Sequence, residues 1–256
     1  MLIDTHVHLN NPALLETLPA VLEKAERAGV KTMVVVGYDP ASNLKALELA
    51  KTHTPLYAAV GFHPTEATKV KEADYATLAA WLECEKVVAL GEIGLDFYWD
   101  KTHHDTQVAV FKRQIEMAQA RRLPIAVHMR DATEKTYETL KPYAPLVGVM
   151  HCYSGSAEMA EKFVGLGMHI SLGGPVTFKN ARVPKAVARI VPLERLLIET
   201  DAPYLAPHPY RGKQNHPGYL PLIAQAIADE RGITYEAVAE ATTRNARKLF
   251  LFKEAT

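Results

Sequence analysis

The sequence lacks three features that would place it in a special class of protein. Only Cys84 and Cys152 are cysteines among its 256 residues, which is too few for a disulfide framework and too widely spaced for a CxxC pair. No apolar run approaches the roughly 20 residues that a membrane span requires. Its 29 basic residues equal its 29 acidic residues, so no global positive field is available to hold nucleic acid.

The first apolar stretch shows no sign of a targeting signal. Polar residues interrupt residues 2–8, and no basic leader precedes them. We therefore expect no signal peptide and a cytoplasmic protein, in which the two cysteines are reduced packing residues.

The sequence does contain a regular alternation of strand-like and helix-like segments. Leu14, Leu18 and Val21, for example, recur at helical spacing. Eight apolar segments are predicted strands: 2–8, 31–37, 55–61, 87–92, 124–128, 146–151, 168–173 and 195–201. Strands that alternate with helices pair in parallel through right-handed crossovers. The pattern therefore predicts an α/β fold that closes as a (β/α)8 TIM barrel.

The remainder of the chain fits this architecture. Residues 217–252 carry helical patterns without another strong strand, which predicts extra C-terminal helices. No linker or low-complexity segment divides the sequence. We therefore expect a single domain over residues 1–256.

Histidines and carboxylates lie at the ends of most predicted strands. His6 and His8 share one face of the first strand, because side chains alternate along a strand. The fourth, fifth, sixth and eighth strands end at Glu92, His128, His151 and Asp201. In a barrel these ends meet at one mouth.

Six mixed nitrogen and oxygen ligands exceed what one zinc ion takes from protein in an open tetrahedral site. We therefore predict two divalent metal ions, with Glu92 as the bridge between them. The alternative is six independent buried polar residues held by hydrogen bonds. The metal interpretation is favoured because each of those residues would carry its own desolvation cost.

Five separated segments resemble the TatD family of metal-dependent deoxyribonucleases. They are LIDTHVHLN at 2–10, GEIGLD at 91–96, PIAVHMRDA at 124–132, HCYSG at 151–155 and ETDAPYL at 199–205. The resemblance covers nearly the whole chain. It implies a TIM barrel of the amidohydrolase superfamily, two divalent metals and phosphodiester hydrolysis, often by 3′ to 5′ exonuclease action.

The resemblance also implies which residues hold the metals. One metal would be bound by His6, His8, Glu92 and Asp201, and the other by Glu92, His128 and His151. His63-Pro64-Thr65 stands where many relatives have His-Pro-His, so a role for the second histidine does not transfer. Residues 176–180 and 211–215 resemble members described only as metal-dependent hydrolases, which leaves the substrate open.

Three residues near the mouth have predicted roles in catalysis or substrate binding. Asp201 can bind a metal through one oxygen and accept a proton from water through the other, so it is the predicted general base. His63 is predicted to bind a phosphate oxygen or to give a proton to the leaving group. Glu199 is predicted to orient a ligand rather than to act in the chemistry.

Few cations are available for substrate contacts. Arg130, two residues beyond His128, and Arg211, close to Lys213, are the predicted phosphate contacts. So few contacts, together with the zero net charge, favour single-stranded or frayed 3′ ends of DNA as the substrate, with the 3′ polarity taken from the resemblance alone. The metal stays open among zinc, manganese, nickel and magnesium.

Two other functions share some of these features. A cyclic-amidase or lactonase barrel uses similar ligands, but it commonly bridges its metals with a carboxylated lysine on the fourth strand, where Glu92 stands. A non-catalytic, metal-stabilised scaffold would have a closed coordination shell without a site for water.

Overall fold

The computed structural model describes residues 1–252, in which eight strands form one parallel sheet. They are β1 (Leu2–Val7), β2 (Val30–Val36), β3 (Leu56–Val60), β4 (Val87–Asp96), β5 (Ile125–Arg130), β6 (Gly148–Met150), β7 (Met168–Leu172) and β8 (Leu196–Ile198). Each strand pairs in parallel with the next one in the chain. This order is that of a (β/α)8 barrel, so the predicted fold class is confirmed.

Helices occupy the connections between the strands, and two more helices follow β8. They are α1 (Pro12–Leu15), α2 (Leu18–Arg27), α3 (Pro40–Thr52), α4 (Glu72–Trp81), α5 (His104–Arg121), α6 (Thr133–Leu140), α7 (Ala157–Gly165), α8 (Arg182–Ile190), α9 (Leu220–Arg231) and α10 (Tyr235–Phe250). Local sequence sets their ends. Asp39 caps α3 by accepting a hydrogen bond from Ser42 N at 2.7 Å, and Gly232 ends α9 at a φ of 64°.

The barrel closes between β1 and β8 through hydrogen bonds that involve side chains as well as backbone. Asp201 N donates to His6 O at 3.0 Å. The Asp4 carboxylate accepts hydrogen bonds from Thr200 N at 3.0 Å and from Thr200 Oγ1 at 2.6 Å. This seam places the first and last site residues of the chain side by side.

The last helix covers the N-terminal end of the barrel. An apolar cluster that includes Ile3, Val34 and Leu197 from the strands also includes Leu249 and Phe250 of α10. In the same helix, the Asn245 side chain donates to the backbone oxygens of Leu193 and Leu196 at 2.8 Å. The predicted extra C-terminal helices are therefore present, and the C-terminal ends of the strands form the accessible mouth.

The C-terminal ends of β4 and β8 differ from the predicted strand ends, and both differences change how a site residue is held. β4 continues to Asp96, because Ile93 and Asp96 still pair with Val127 and Arg130 of β5. Glu92 therefore lies within its strand rather than at the end. β8 stops at Ile198, and Asp201 follows in a left-handed conformation with φ of 53°.

Three further expectations have different outcomes. Both cysteines are free, but Cys84 is exposed, so a packing role is wrong for it. The single domain over residues 1–256 stays a prediction, and residues 253–256 lie outside the described part of the chain. Within residues 1–252, no helix combines the length and the apolar character needed to cross a membrane.

Candidate metal centre

Four histidines and two carboxylates meet at the mouth of the barrel. They come from β1, β4, β5 and the residues after β1, β6 and β8: His6, His8, Glu92, His128, His151 and Asp201. Five of the six are buried, and His128 is half-buried. The structure thus brings together every residue that the sequence proposes as a metal ligand.

One set of donor atoms lies beside the β1–β8 seam. The Nε2 atoms of His6 and His8 are 3.3 Å apart. Glu92 Oε2 lies 3.6 Å from the first of these nitrogens and 3.8 Å from the second. Asp201 Oδ1 lies 3.4 Å from His8 Nε2 and 3.8 Å from His6 Nε2. Donors about 2.1 Å from a shared tetrahedral ion lie about 3.4 Å from one another, so this spacing fits a single cation.

A second set of donor atoms surrounds the other oxygen of Glu92. Oε1 of Glu92 lies 2.9 Å from His128 Nδ1 and 2.9 Å from His151 Nε2. These two nitrogens are 3.3 Å apart. Since each oxygen of Glu92 faces a different set, the arrangement fits two cations bridged by this carboxylate.

The electrostatics of the cluster also suit cations. Burial opposes ionisation of Glu92, yet the charges and hydrogen bonds of the surrounding histidines hold its pKa well below its usual value. Burial likewise opposes protonation of His151, but the charges of Glu92 and Glu199 raise the pKa of this imidazole well above its usual value. Ionised carboxylates beside imidazole nitrogens form the mixed donor set that binds divalent transition metals.

Three of the candidate ligands are oriented by a contact on the far side of the ring. His8 Nδ1 lies 2.9 Å from Val36 O, and His151 Nδ1 lies 3.3 Å from Glu199 Oε1. His128 Nε2 lies 3.0 Å from Asp96 Oδ2. Such contacts fix which nitrogen carries the proton and which one faces the site.

Glu199 lies where the sequence expects an orienting group. For Asp96 the sequence leaves two roles open, orienting the loop after Glu92 or assisting the metal site, and the structure places it against both the loop and His128. The contact with His128 depends on the register that sets Gly94 of β4 opposite His128 of β5, two residues before Asp96. In the described part of the chain, Nδ1 of His6 has no hydrogen-bond partner. That ring instead stacks on His151, with 3.9 Å between the ring centroids.

His63 lies at the edge of the cluster. Its Nε2 is 3.6 Å from Glu92 Oε1, and its Nδ1 accepts a hydrogen bond from Thr65 N at 3.2 Å. Burial and the neighbouring His128 lower the pKa of His63 to about 3, so the ring is neutral near pH 7. A neutral ring that accepts through Nδ1 carries its proton on Nε2, which suits donation of a hydrogen bond to a phosphate better than transfer of a proton.

The predicted phosphate contacts lie at the exposed rim rather than in the cluster. The Arg130 guanidinium lies over the ring of Tyr98, 4.0 Å from its centroid, and is 5.4 Å from the Trp99 centroid. The Arg211 guanidinium lies 4.4 Å from the centroid of Phe178. Within residues 1–252, neither arginine has an ion-pair partner. Sequence reasoning missed both aromatic partners of Arg130, because their contact depends on the alignment of β4 with β5.

Comparison with known proteins gives consistent matches over nearly the full length. The family model described as "TatD related DNase" matches residues 3–251. The chain is 45% identical over 252 residues to a protein named uncharacterized metal-dependent hydrolase YabD from Bacillus subtilis, covering 98% of this chain and 99% of that protein. It is 35% identical over 257 residues to the similarly named TatD of Mycobacterium tuberculosis, covering 97% of each.

A solved structure gives the same result. The crystal structure of YjjV, a TatD homologue from Escherichia coli K12, matches with a TM-score of 0.93 and 34% identity. The match covers 98% of each chain.

Proposed function

The chain belongs to the TatD family of metal-dependent hydrolases, and from this membership we propose that it hydrolyses phosphodiester bonds in DNA. The resemblance found in the sequence is confirmed at the level of the family. The observation that carries the proposal is the placement of Glu92, which turns one carboxylate oxygen toward each of two donor sets.

The proposed ligands follow from these two sets. His6, His8, Glu92 and Asp201 would hold one cation, and Glu92, His128 and His151 the other. When bound, two divalent cations supply activation of water and neutralisation of phosphodiester charge.

The chain's own groups supply the proton transfer and substrate positioning. Oδ1 of Asp201 faces His6 and His8, which leaves Oδ2 to accept a proton from the attacking water. Nε2 of His63 donates a hydrogen bond to a phosphate oxygen beside Glu92. Arg130 and Arg211 contact the flanking phosphates from the rim.

The proposed substrate is a single-stranded or frayed 3′ end of DNA, acted on in the cytoplasm. A chain without net charge, whose candidate phosphate contacts are Arg130, Arg211 and Lys213, gains little from a long duplex. A recessed cluster also accepts a flexible end more readily than an internal phosphate in a stiff helix. The 3′ to 5′ direction is proposed from the family resemblance.

Digestion of linear and closed circular single strands tests this proposal. With added magnesium or manganese, we expect a 5′-labelled linear strand to shorten from its 3′ end and the circle to stay intact. Equal cleavage of the circle would contradict an end-directed reaction. Lactones and cyclic amides should be assayed with the same preparation, since their turnover without DNA cleavage would favour a small-molecule hydrolase. Two bound metals without any turnover would favour a scaffold.

A further inference from the structure

Two large aromatic side chains are exposed directly after β4, at the mouth of the barrel. Tyr98 is 43% exposed and Trp99 is 67% exposed. The two rings contact each other edge to face, with centroids 4.9 Å apart and planes at 85°. Two thirds of the Trp99 side chain is exposed in spite of this contact, and aromatic residues of this kind are enriched at binding surfaces.

The backbone that carries this pair is fixed by a group that also orients a candidate ligand. Asp96, which is buried, accepts hydrogen bonds through Oδ1 from Tyr98 N at 3.0 Å and from Trp99 N at 2.8 Å. Its other oxygen lies 3.0 Å from His128 Nε2. The position of Trp99 is therefore tied to the candidate metal centre, although its ring extends into solvent.

Arg130 completes the group with a positive charge. Its guanidinium carbon lies over the Tyr98 ring, 4.0 Å from the ring centroid, and is 5.4 Å from the Trp99 centroid. No acidic side chain in residues 1–252 forms an ion pair with it. Stacking on the aromatic ring thus positions the guanidinium while leaving its N–H groups available to an anion.

An aromatic face beside an unpaired arginine is the combination that binds an unpaired nucleotide. The base stacks on the ring, and the phosphate accepts hydrogen bonds from the cation. We propose that Trp99, Tyr98 and Arg130 form a binding site for one unpaired nucleotide beside the scissile phosphodiester, with its base stacked on the Trp99 indole. This inference rests on the proposed function, and it explains a preference for unpaired DNA, because a base inside a duplex offers no free face.

A substrate without bases separates stacking from other roles of Trp99. For Trp99→Ala we expect kcat/KM on a single-stranded oligonucleotide to fall about 5- to 100-fold, the effect of losing one stacked base. On the same strand with abasic residues at its 3′ end, the variant and the wild type should be equal. Trp99→Phe should retain most of the activity. Leu44→Ala, which removes a side chain of α3 that is 60% exposed, should have no effect.

Fluorescence gives a readout that does not depend on catalysis. The chain has two tryptophans, so Trp81→Phe leaves Trp99 as the only indole. We expect quenching of its emission by a phosphorothioate oligothymidylate, which resists cleavage, and little quenching by an abasic strand of equal length.

The outcomes distinguish this inference from the function on which it rests. A wild-type protein that cleaves no DNA would contradict the proposed function, whatever the quenching shows. DNA cleavage that is equally fast in Trp99→Ala would overturn the stacking site. An equal loss on normal and abasic strands would also overturn it, because Trp99 would then act on the shape of the loop or on another partner.

Discussion

Asp96 and His128 form a pair in which the carboxylate determines the face that the imidazole turns toward the site. Asp96 Oδ2 lies 3.0 Å from Nε2 of the ring, while Nδ1 of the same ring lies 2.9 Å from Glu92 Oε1. Burial opposes ionisation of Asp96, but hydrogen bonds from His128 and Trp99 N lower the pKa of this carboxyl. The ionised carboxylate keeps the proton on Nε2 and leaves the Nδ1 lone pair for a metal.

Asp96→Asn should weaken metal binding about 10- to 100-fold. The amide can present an NH2 group to Nε2, which favours a proton on Nδ1 and blocks that lone pair. Calorimetric titration of the metal-free protein with zinc or manganese measures the change. Asp105→Asn, which alters an exposed aspartate of α5, is the matched control. Unchanged affinity in Asp96→Asn would show that His128 is not a ligand through Nδ1.

Glu92→Gln should abolish most activity while the protein stays folded. The amide keeps the shape of the side chain but removes the charge that faces both donor sets. We expect turnover to fall by at least about 100-fold, and the metal content to drop from the proposed two ions per chain to one or none. Elemental analysis and thermal unfolding of the same preparation check both statements. A folded, two-metal variant with normal turnover would contradict the bridging role.

Asp201→Asn tests whether Asp201 acts as a general base in addition to binding a metal. The amide oxygen can still face His6 and His8, so the variant should retain much of its metal. It should nevertheless lose about 100-fold or more in kcat, since an amide cannot accept the proton of water. Full recovery of activity at high metal concentration would show that Asp201 is only a metal ligand and not the general base.

Salt should weaken DNA binding only modestly. Two or three phosphate contacts predict a slope of log K against log salt between about −1.4 and −2.1 for a single strand. Fluorescence anisotropy in salt from about 50 to about 200 mM would measure this slope. Arg130→Ala should reduce the slope by about 0.7, whereas Arg27→Ala, remote from the mouth on α2, should leave it unchanged. A much steeper slope would indicate a larger DNA interface.

His169 should make the fold sensitive to acid. It lies buried in β7, where burial and the charge of Arg195 lower its pKa to about 4. Between pH 6.5 and 4 the unfolded chain binds a proton at this residue that the folded chain does not. The free energy of unfolding should therefore fall across this range, by at most about 3 kcal/mol from His169.

Denaturant unfolding between pH 7 and 4.5 measures this effect. His169→Gln should show a shallower decline than the wild type, because glutamine does not titrate. His208→Gln, which replaces an exposed histidine, should follow the wild type. Identical pH profiles for His169→Gln and the wild type would contradict the assignment.

The features that sequence could predict are those that depend on local pattern. Alternating apolar segments indicate the barrel, and His6, His8 and Asp201 lie near the ends of recognisable strands. The pairing partners of side chains depend instead on register and on contacts between strands. Asp96 contacts His128, and Arg130 contacts Tyr98, because β4 continues beyond Glu92 in register with β5. No periodicity within either segment contains that information.

The seam between β1 and β8 also determines when the hydrolytic site can form as the chain is synthesised. His6 is made early, but Asp201, which faces it across the seam, follows 195 residues later in the chain. Until that residue emerges, the growing chain also lacks Glu199, the partner of His151. A growing chain that has not reached Asp201 is therefore missing part of the proposed machinery, so hydrolysis has to wait until the residues that close the barrel have been made.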